Sequence, residues 1–210
     1  MKKVKKKKKM NFNRTSGVGL ISIVLLFLTL TSCTEDYLPK PKGYNKIDLP
    51  PHEYQVLAEE HPFIFEHSKN SVIKKDVSLI AEPHWIDVYY PDYDAYIQLT
   101  YKKLNGKTTV FNEHMDDSHK LAGKHNIKAY SIEQGLIKTP KGYSATVFEL
   151  SGEVPSQFQF YITDSTKHFL RGAIYFQTAT KNDSLAPIIE YIKYDAIHLL
   201  NTLDWKDSVK

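Results

Sequence analysis

The chain has 210 residues, with 28 basic side chains, 24 acidic side chains and a single cysteine. Its positive charge lies in the first 32 residues, which hold eight Lys and Arg and no Asp or Glu; the remainder has 20 basic and 24 acidic side chains, a net charge of −4. These values argue against a nucleic-acid-binding domain, which would need a basic face, and one cysteine excludes a disulfide within the chain.

The first 32 residues have the three parts of a secretory signal. Seven lysines lie within the first ten residues, an apolar run spans 17–30, and Leu30-Thr31-Ser32-Cys33 resembles the lipobox at which signal peptidase II cuts. The apolar run of about 14 residues is shorter than the ~20 that a membrane-spanning helix needs. We therefore predict a signal peptide at 1–32 and a lipidated (palmitate-bearing) N-terminus at Cys33; an uncleaved membrane anchor is the alternative.

A polar stretch with Pro39 and Pro41 follows the lipid site. Such segments are extended, so we interpret 33–44 as the lipidated N-terminus and tether, and 45–210 as a single folded domain. Two short strands are predicted near the start of the domain, at Tyr44–Leu49 and Pro62–His67, with Pro50 and Pro51 between them.

The middle of the chain predicts a hairpin and then a helix. Trp85–Tyr90 and Ala95–Tyr101 alternate in polarity around the turn residues 91–94, which is the signature of a hairpin. A helix is predicted at Thr109–His125, ending near Gly123, from apolar and small residues at helical spacing. Those residues are Phe111, Met115, Ser118 and Ala122.

The last third predicts an antiparallel meander and a long helix. The strands are expected at Ala129–Ile137, Ser144–Leu150, Gln157–Thr163 and His168–Gln177. One apolar helical stripe then runs from Leu185 to Leu203, with Asp183 as its expected N-cap and Pro187 in its first turn. This order predicts an α+β fold, an antiparallel sheet with packed helices, and resembles the Mog1/PsbP-like fold.

No sequence motif for catalysis or for a cofactor is present. His114, His119 and His125 are five and six residues apart, which does not place neighbouring ligands on one helix face. Asp164, Ser165 and His168 crowd a single turn, which turn chemistry explains better than a nucleophile and its base. The sequence therefore predicts no catalytic residue, no metal site and no cofactor.

Tyrosines and Asp-Ser pairs are the remaining candidate functional features. Tyr89, Tyr96 and Tyr161 lie in tyrosine-rich and phenylalanine-rich strands, a composition that suits protein interfaces but also suits strands in general. Three Asp-Ser pairs resemble the O-glycosylation sequence of exported Bacteroidetes proteins, although Asp-Ser also forms caps and turns. The acceptor residues would be Ser165, Ser184 and Ser208.

Several sequence strings together resemble the gliding-motility lipoprotein GldD family of Bacteroidetes. They are LPKPKGY (38–44), PFIFE (62–66), LTYK (99–102), QFYITDS (159–165), HFLRGAIYF (168–176), NDSL (182–185) and HLLNTLDW (198–205). The resemblance implies a part in gliding and in type IX protein secretion, with other proteins of that machinery as partners. It carries one functional residue over to this chain, the lipidated Cys33.

Two functions are consistent with these observations. The first is a non-catalytic structural or accessory lipoprotein of the gliding and secretion apparatus, anchored in the cell envelope and facing the periplasm. The second is a lipoprotein that binds a small ligand, a glycan or peptidoglycan through its tyrosines, for which a concave pocket would be needed. The two acidic residues shortly after Cys33 do not indicate which membrane holds the lipid.

Overall fold

This computed structural model describes residues 47–176 and 182–206, and in the second range it describes side chains from residue 184 onward. A large antiparallel sheet organises this part of the chain. The elements, in chain order, are β1 (Tyr54–Val56), β2 (Phe63–Ile64), β3 (Glu66–Ser68), β4 (Val72–Lys75), β5 (Ile86–Tyr90), β6 (Ala95–Lys103), α1 (Thr108–Gly123), β7 (Ala129–Lys138), β8 (Ser144–Gly152), β9 (Phe158–Thr163), β10 (His168–Phe176), α2 (Asn182–Thr202) and β11 (Asp204–Trp205). Short 3₁₀ turns at Pro91–Tyr93 and Lys124–Ile127 join β5 to β6 and α1 to β7.

Seven strands form the main sheet in the order β4-β5-β6-β10-β9-β8-β7, and all of its neighbours are antiparallel. The hairpin β5–β6 and the meander β7–β10 are the two halves of this sheet, and β6 pairs with β10 where they meet. Two small pairs lie outside the main sheet: β1 with β3, and β11 with β2. The predicted α+β class, with an antiparallel sheet and packed helices, is confirmed.

The long helix α2 covers one surface of the sheet with the apolar stripe that the sequence predicted. Ile192, Ala196 and Leu199 on that stripe are fully buried. They meet the inward-facing side chains of the strands, among which Val88 and Ile97 belong to the same hydrophobic core. The helix begins at Asn182, one residue before the expected cap Asp183, whose side chain lies outside the described part.

The shorter helix α1 covers part of the opposite surface and forms a second core. Ala122 of α1 is buried, and Phe111 and Met115 pack against the cluster that includes Phe148 and Phe169 of the sheet. The predicted helical spacing is therefore confirmed. Because α1 and α2 sandwich the middle of the sheet, all six residues of β9 are buried.

The first strands of the domain differ from the prediction. Residues 47–49 of the predicted strand Tyr44–Leu49 belong to no strand, and 44–46 lie outside the described residues. Pro62–His67 is not one strand but two: β2 pairs with β11, whereas β3 pairs with β1. The unpredicted β4 is a short edge strand ending in Lys74 and Lys75, and lysine suits an edge that must not pair further.

The described residues lie within one compact unit, Tyr44–Lys210. The boundaries at 32 and 44, together with Cys33 itself, fall in or beside the undescribed N-terminal region and stay predictions. Among the described helices, none is both long and apolar enough to cross a bilayer.

Candidate functional site

Within residues 47–176 and 182–206, the surface of the main sheet opposite α2 is only partly covered. Helix α1 packs on its β8, β9 and β10 side, while side chains on β4, β5, β6 and the end of β10 are exposed or half-exposed. We call this uncovered area the open face. Its members are Lys74, Asp87, Tyr89, Tyr96, Gln98 and Tyr175.

A row of tyrosines crosses the open face because the strand registers align them. Tyr89 lies opposite Tyr96, and Tyr96 lies opposite Tyr175 on the next strand. The ring centroids of Tyr96 and Tyr175 are 5.7 Å apart. Lys74 places its ammonium 3.2 Å from the centroid of the Tyr89 ring, a cation–π contact that holds both side chains at the sheet edge.

Beside these rings lies a shallow polar cavity of about 230 Å³. Lys74, Asp87, Tyr89, Tyr96 and Gln98 line it. Oδ1 of Asp87 is buried without a hydrogen-bond partner in the described part of the chain. Burial and, to a lesser extent, the negative charge of Asp76 raise the pKa of Asp87 to about 6, against the opposing effect of Lys74. The cavity thus offers an under-used acceptor next to aromatic rings, an arrangement suited to a donor-rich ligand or partner.

The structure brings together two of the three tyrosines that the sequence singled out. Tyr89 and Tyr96 are neighbours on the open face. Tyr161 is not with them: it is only 6% exposed and stacks on Phe169 at 5.2 Å beneath α1. Its place in the second core leaves little ring surface for an external partner.

The Asp-Ser pairs occupy different surroundings. Ser165 is exposed in the turn between β9 and β10, in the left-handed conformation with φ 64°. Ser184 is exposed in the first turn of α2. Ser208 lies outside the described residues, as does Cys33. Both described serines are therefore accessible to a modifying enzyme.

The carboxylate of Asp164 organises the turn around Ser165. Its Oδ1 accepts hydrogen bonds from the backbone N–H groups of Thr166, Lys167 and His168, at 3.0, 2.8 and 2.9 Å. Partial burial acts to raise the pKa of Asp164, but the three N–H donors outweigh it and lower the pKa below its ordinary value. The turn chemistry inferred from the sequence thus accounts for Asp164.

An Asp164→Ala variant is expected to lower the free energy of unfolding by about 1 kcal/mol at pH 7, because three backbone donors lose their acceptor. Since the folded-state pKa of Asp164 is lowered, its contribution is complete above about pH 4, the unfolded value, and is lost as pH falls through the folded value. Urea denaturation from pH 7 to pH 2 measures both effects. Asp164→Asn, which keeps an acceptor without a charge, should lose less at pH 7; an equal loss in both variants would contradict this assignment.

A second polar cluster, which the sequence analysis did not identify, surrounds Asp195 of α2. This side chain is 2% exposed. Its Oδ1 lies 2.6 Å from Nδ1 of His52 and accepts a hydrogen bond from the Tyr54 hydroxyl at 3.0 Å, and its Oδ2 accepts one from the buried Tyr90 hydroxyl at 3.0 Å. Burial and the nearby carboxylate both raise the pKa values of Tyr54 and Tyr90, so both hydroxyls are donors at neutral pH.

Stacked rings reinforce this cluster. His52 stacks on Tyr191 with centroids 4.4 Å apart, and Tyr54 stacks on His198 at 3.5 Å. His198 in turn places Nε2 2.8 Å from Oε2 of Glu66. The segment that contains His52 and Tyr54 is therefore held to α2 by both hydrogen bonds and ring stacking.

A sequence signal for Asp195 exists in hindsight. It lies seven residues after Ile188, three after Ile192 and four before Leu199, so it interrupts the apolar stripe on its buried side. A carboxylate at such a position must find hydrogen-bond donors when the helix packs. The donors themselves lie more than 100 positions away, and no local pattern indicates them.

Two of the three histidines at 114, 119 and 125 make aromatic contacts in the structure. His114 lies 5.6 Å from Phe169, and His119 lies 5.0 Å from Phe148, measured between ring centroids. Burial lowers the pKa values of His114 and His125. Within the described ranges, no three His, Cys, Asp or Glu side chains converge on one point.

Comparisons with known proteins find similarity in one sequence family and among solved structures. A profile of the family described as "Gliding motility lipoprotein GldD" matches residues 34–205. No curated protein matches the sequence significantly. The structure is similar to the solution structure of cyanobacterial PsbP from Synechocystis, with 8% sequence identity, a TM-score of 0.42, and coverage of 77% of this chain and 97% of that chain.

Proposed function

The chain belongs to the gliding motility lipoprotein GldD family, and from this premise we propose that it is a non-catalytic accessory component of the gliding and type IX secretion apparatus. As a lipoprotein it is anchored to a membrane of the cell envelope. In our proposal Cys33 carries the lipid, and palmitate is one of its acyl chains. The domain faces the periplasm, and its partners are other proteins of the same machinery.

The observation that carries the proposal is the open face. Tyr89, Tyr96 and Tyr175 form a half-exposed aromatic row beside the charged Lys74 and Asp87. Tyrosine is enriched at protein interfaces because its ring provides contact area while its hydroxyl stays hydrated. The opposite surface of the sheet is covered by α2, so among the described residues the open face is the part of the main sheet that leaves aromatic rings accessible to a partner.

A Tyr96→Ala variant tests the open face directly. Lipid-anchored protein used as bait in envelope extracts should recover gliding or secretion components, and Tyr96→Ala should recover at least tenfold less of them. Tyr130→Ala is the matched control, because Tyr130 is 84% exposed on β7, the other edge strand. Equal recovery by both variants and the unmodified protein would contradict a partner surface here.

A chromosomal Cys33→Ala replacement tests the anchored role. We expect the protein to lose its lipid anchor, and colony spreading and secretion to fail together, because stable anchoring takes two or more acyl chains and Cys33 is the residue that would carry them. Release with both activities intact would show that the anchor is dispensable and would redirect attention to the soluble domain.

The polar cavity favours one alternative, a lipoprotein that binds a small ligand or a glycan such as a peptidoglycan fragment. Rings stack on sugar faces, and Asp87 and Gln98 can bond hydroxyl groups. Titration of soluble peptidoglycan fragments should then show binding that Asp87→Asn weakens while Tyr130→Ala does not. Absence of binding would contradict the ligand-binding alternative and favour the accessory role.

We further propose that Ser165 and Ser184 are O-glycosylated, and Ser208 with them. The exposure of the first two supports this. Mass spectrometry of protein from its native host should find a glycan mass on peptides that contain Ser165 and Ser184. The proposal would be ruled out if all copies of both peptides carried unmodified serine.

A further inference from the structure

Two histidines from different parts of the chain face each other at the start of the domain. His61 precedes β2, and His84 lies in the loop between β4 and β5. Their Nδ1 atoms are 3.2 Å apart, and their rings meet edge to face at 77°. Neither the accessory role nor the ligand-binding alternative uses this pair.

Both imidazoles are positioned by neighbouring aromatic rings. His61 stacks on the fully buried Phe63, with centroids 5.1 Å apart and planes 8° apart. His84 meets the buried Tyr101 edge-on at 5.8 Å. Because Phe63 and Tyr101 are part of the main core, the two nitrogens are held against a rigid support.

The backbone of His84 adds to this positioning. Its φ of 69° is in the left-handed region, which few residues other than glycine adopt. A hydrogen bond from the Trp85 N–H to the Glu82 carbonyl, at 3.2 Å, closes the loop around it. A side chain kept in an uncommon backbone conformation is a reason to look for a function.

The geometry points to a metal-binding pair: we propose that His61 and His84 bind one divalent transition-metal ion, such as Zn²⁺ or Cu²⁺, through their Nδ1 atoms. Two nitrogens at ~2.0–2.1 Å from a tetrahedral zinc ion lie about 3.3 Å apart. The observed 3.2 Å matches this separation. Imidazole is the nitrogen ligand that both ions favour in proteins.

The surroundings allow water to complete the coordination. His84 borders an open cavity of about 290 Å³, which Glu82, Tyr101, Lys103 and His168 also line. With two protein ligands and open positions, the site resembles an exchangeable or partner-completed site more than a closed structural one.

Titration of the mature lipoprotein, purified in detergent, with Zn²⁺ and with Cu²⁺ tests the proposal. One ion should bind per chain, and His61→Ala should weaken its affinity at least tenfold. His84→Gly is the sharper variant, because glycine adopts φ 69° freely and should keep the loop folded while removing the ligand. His125→Ala, at a half-exposed histidine outside the pair, is the matched control.

The coordination can also be observed without measuring affinity. Electron paramagnetic resonance of the Cu²⁺-loaded protein should show hyperfine coupling to two imidazole nitrogens, reduced to one in either variant. Unchanged affinity in a folded His84→Gly protein would overturn the proposal, as would equal losses in His125→Ala. The 3.2 Å contact would then be an ordinary hydrogen bond between two rings.

Discussion

Replacing Gly172 with alanine is expected to lower the free energy of unfolding by about 3 kcal/mol, the upper range for overpacking a filled core. Gly172 of β10 lies opposite Phe160 of β9, whose ring covers the glycine. A Cβ at position 172 would lie 2.1 Å from Cζ of Phe160, and its next two nearest atoms belong to the same ring. Phe160 is 1% exposed, so the ring has no solvent space into which it can move.

Chemical denaturation of Gly172→Ala measures this loss. Gly123→Ala is the matched control, because a Cβ there would meet its nearest atom at 3.9 Å and alanine favours the helix in which Gly123 lies. Combining Gly172→Ala with Phe160→Leu should recover part of the loss by removing the ring. If Gly172→Ala were no more destabilising than Gly123→Ala, the packing of Phe160 over the glycine would be wrong.

Replacing Asp195 with alanine is expected to lower the free energy of unfolding by about 3–4 kcal/mol. The change removes the acceptor for three side-chain donors, one of which, the Tyr90 hydroxyl, is buried and would stay without a partner. It also frees the segment around His52 and Tyr54 from α2, so protease cleavage near residue 52 should accelerate. Denaturation and limited proteolysis measure the two effects separately.

Conservative variants separate the hydrogen bonds from the packing at this site. Asp195→Asn keeps the shape and one oxygen acceptor and should lose about 1 kcal/mol. Tyr90→Phe leaves an oxygen of Asp195 with one donor fewer and should cost a similar amount, without loosening the segment around His52. If Asp195→Ala cost no more than Asp195→Asn, the three hydrogen bonds would not be what holds the segment.

The elements that the sequence predicted well are those with long, regular patterns. The apolar stripe of α2 repeats over about five turns, and β6 alternates from Ala95 to Tyr101 without interruption. The elements that the sequence did not predict, such as β1, β4 and β11, are two to four residues long. Strands of that length carry too few residues for a period to be recognised, and they form because distant partners are available.

The candidate sites were harder to predict because they depend on strand register and on which parts of the sheet the helices cover. Tyr89 and Tyr96 could be expected to meet, since they belong to one hairpin. Tyr161 follows the same alternation, but the position of α1, which no strand pattern encodes, places it in the interior. The His61–His84 contact joins residues 23 positions apart and depends on the positive φ of His84. No pattern in the sequence indicates that backbone angle.

The pairing of β11 with β2 has a consequence for the order in which the chain can fold. Asp204 and Trp205 complete the strand pair of Phe63 and Ile64, and Asp195 completes the contacts of His52. A polypeptide that emerges from its N-terminus onward, from the ribosome or across a membrane, has the beginning of the domain available long before these last residues arrive. The early segment must therefore wait without these partners until residues 195–205 arrive, and a chain truncated just before Asp195 would lack every one of these contacts.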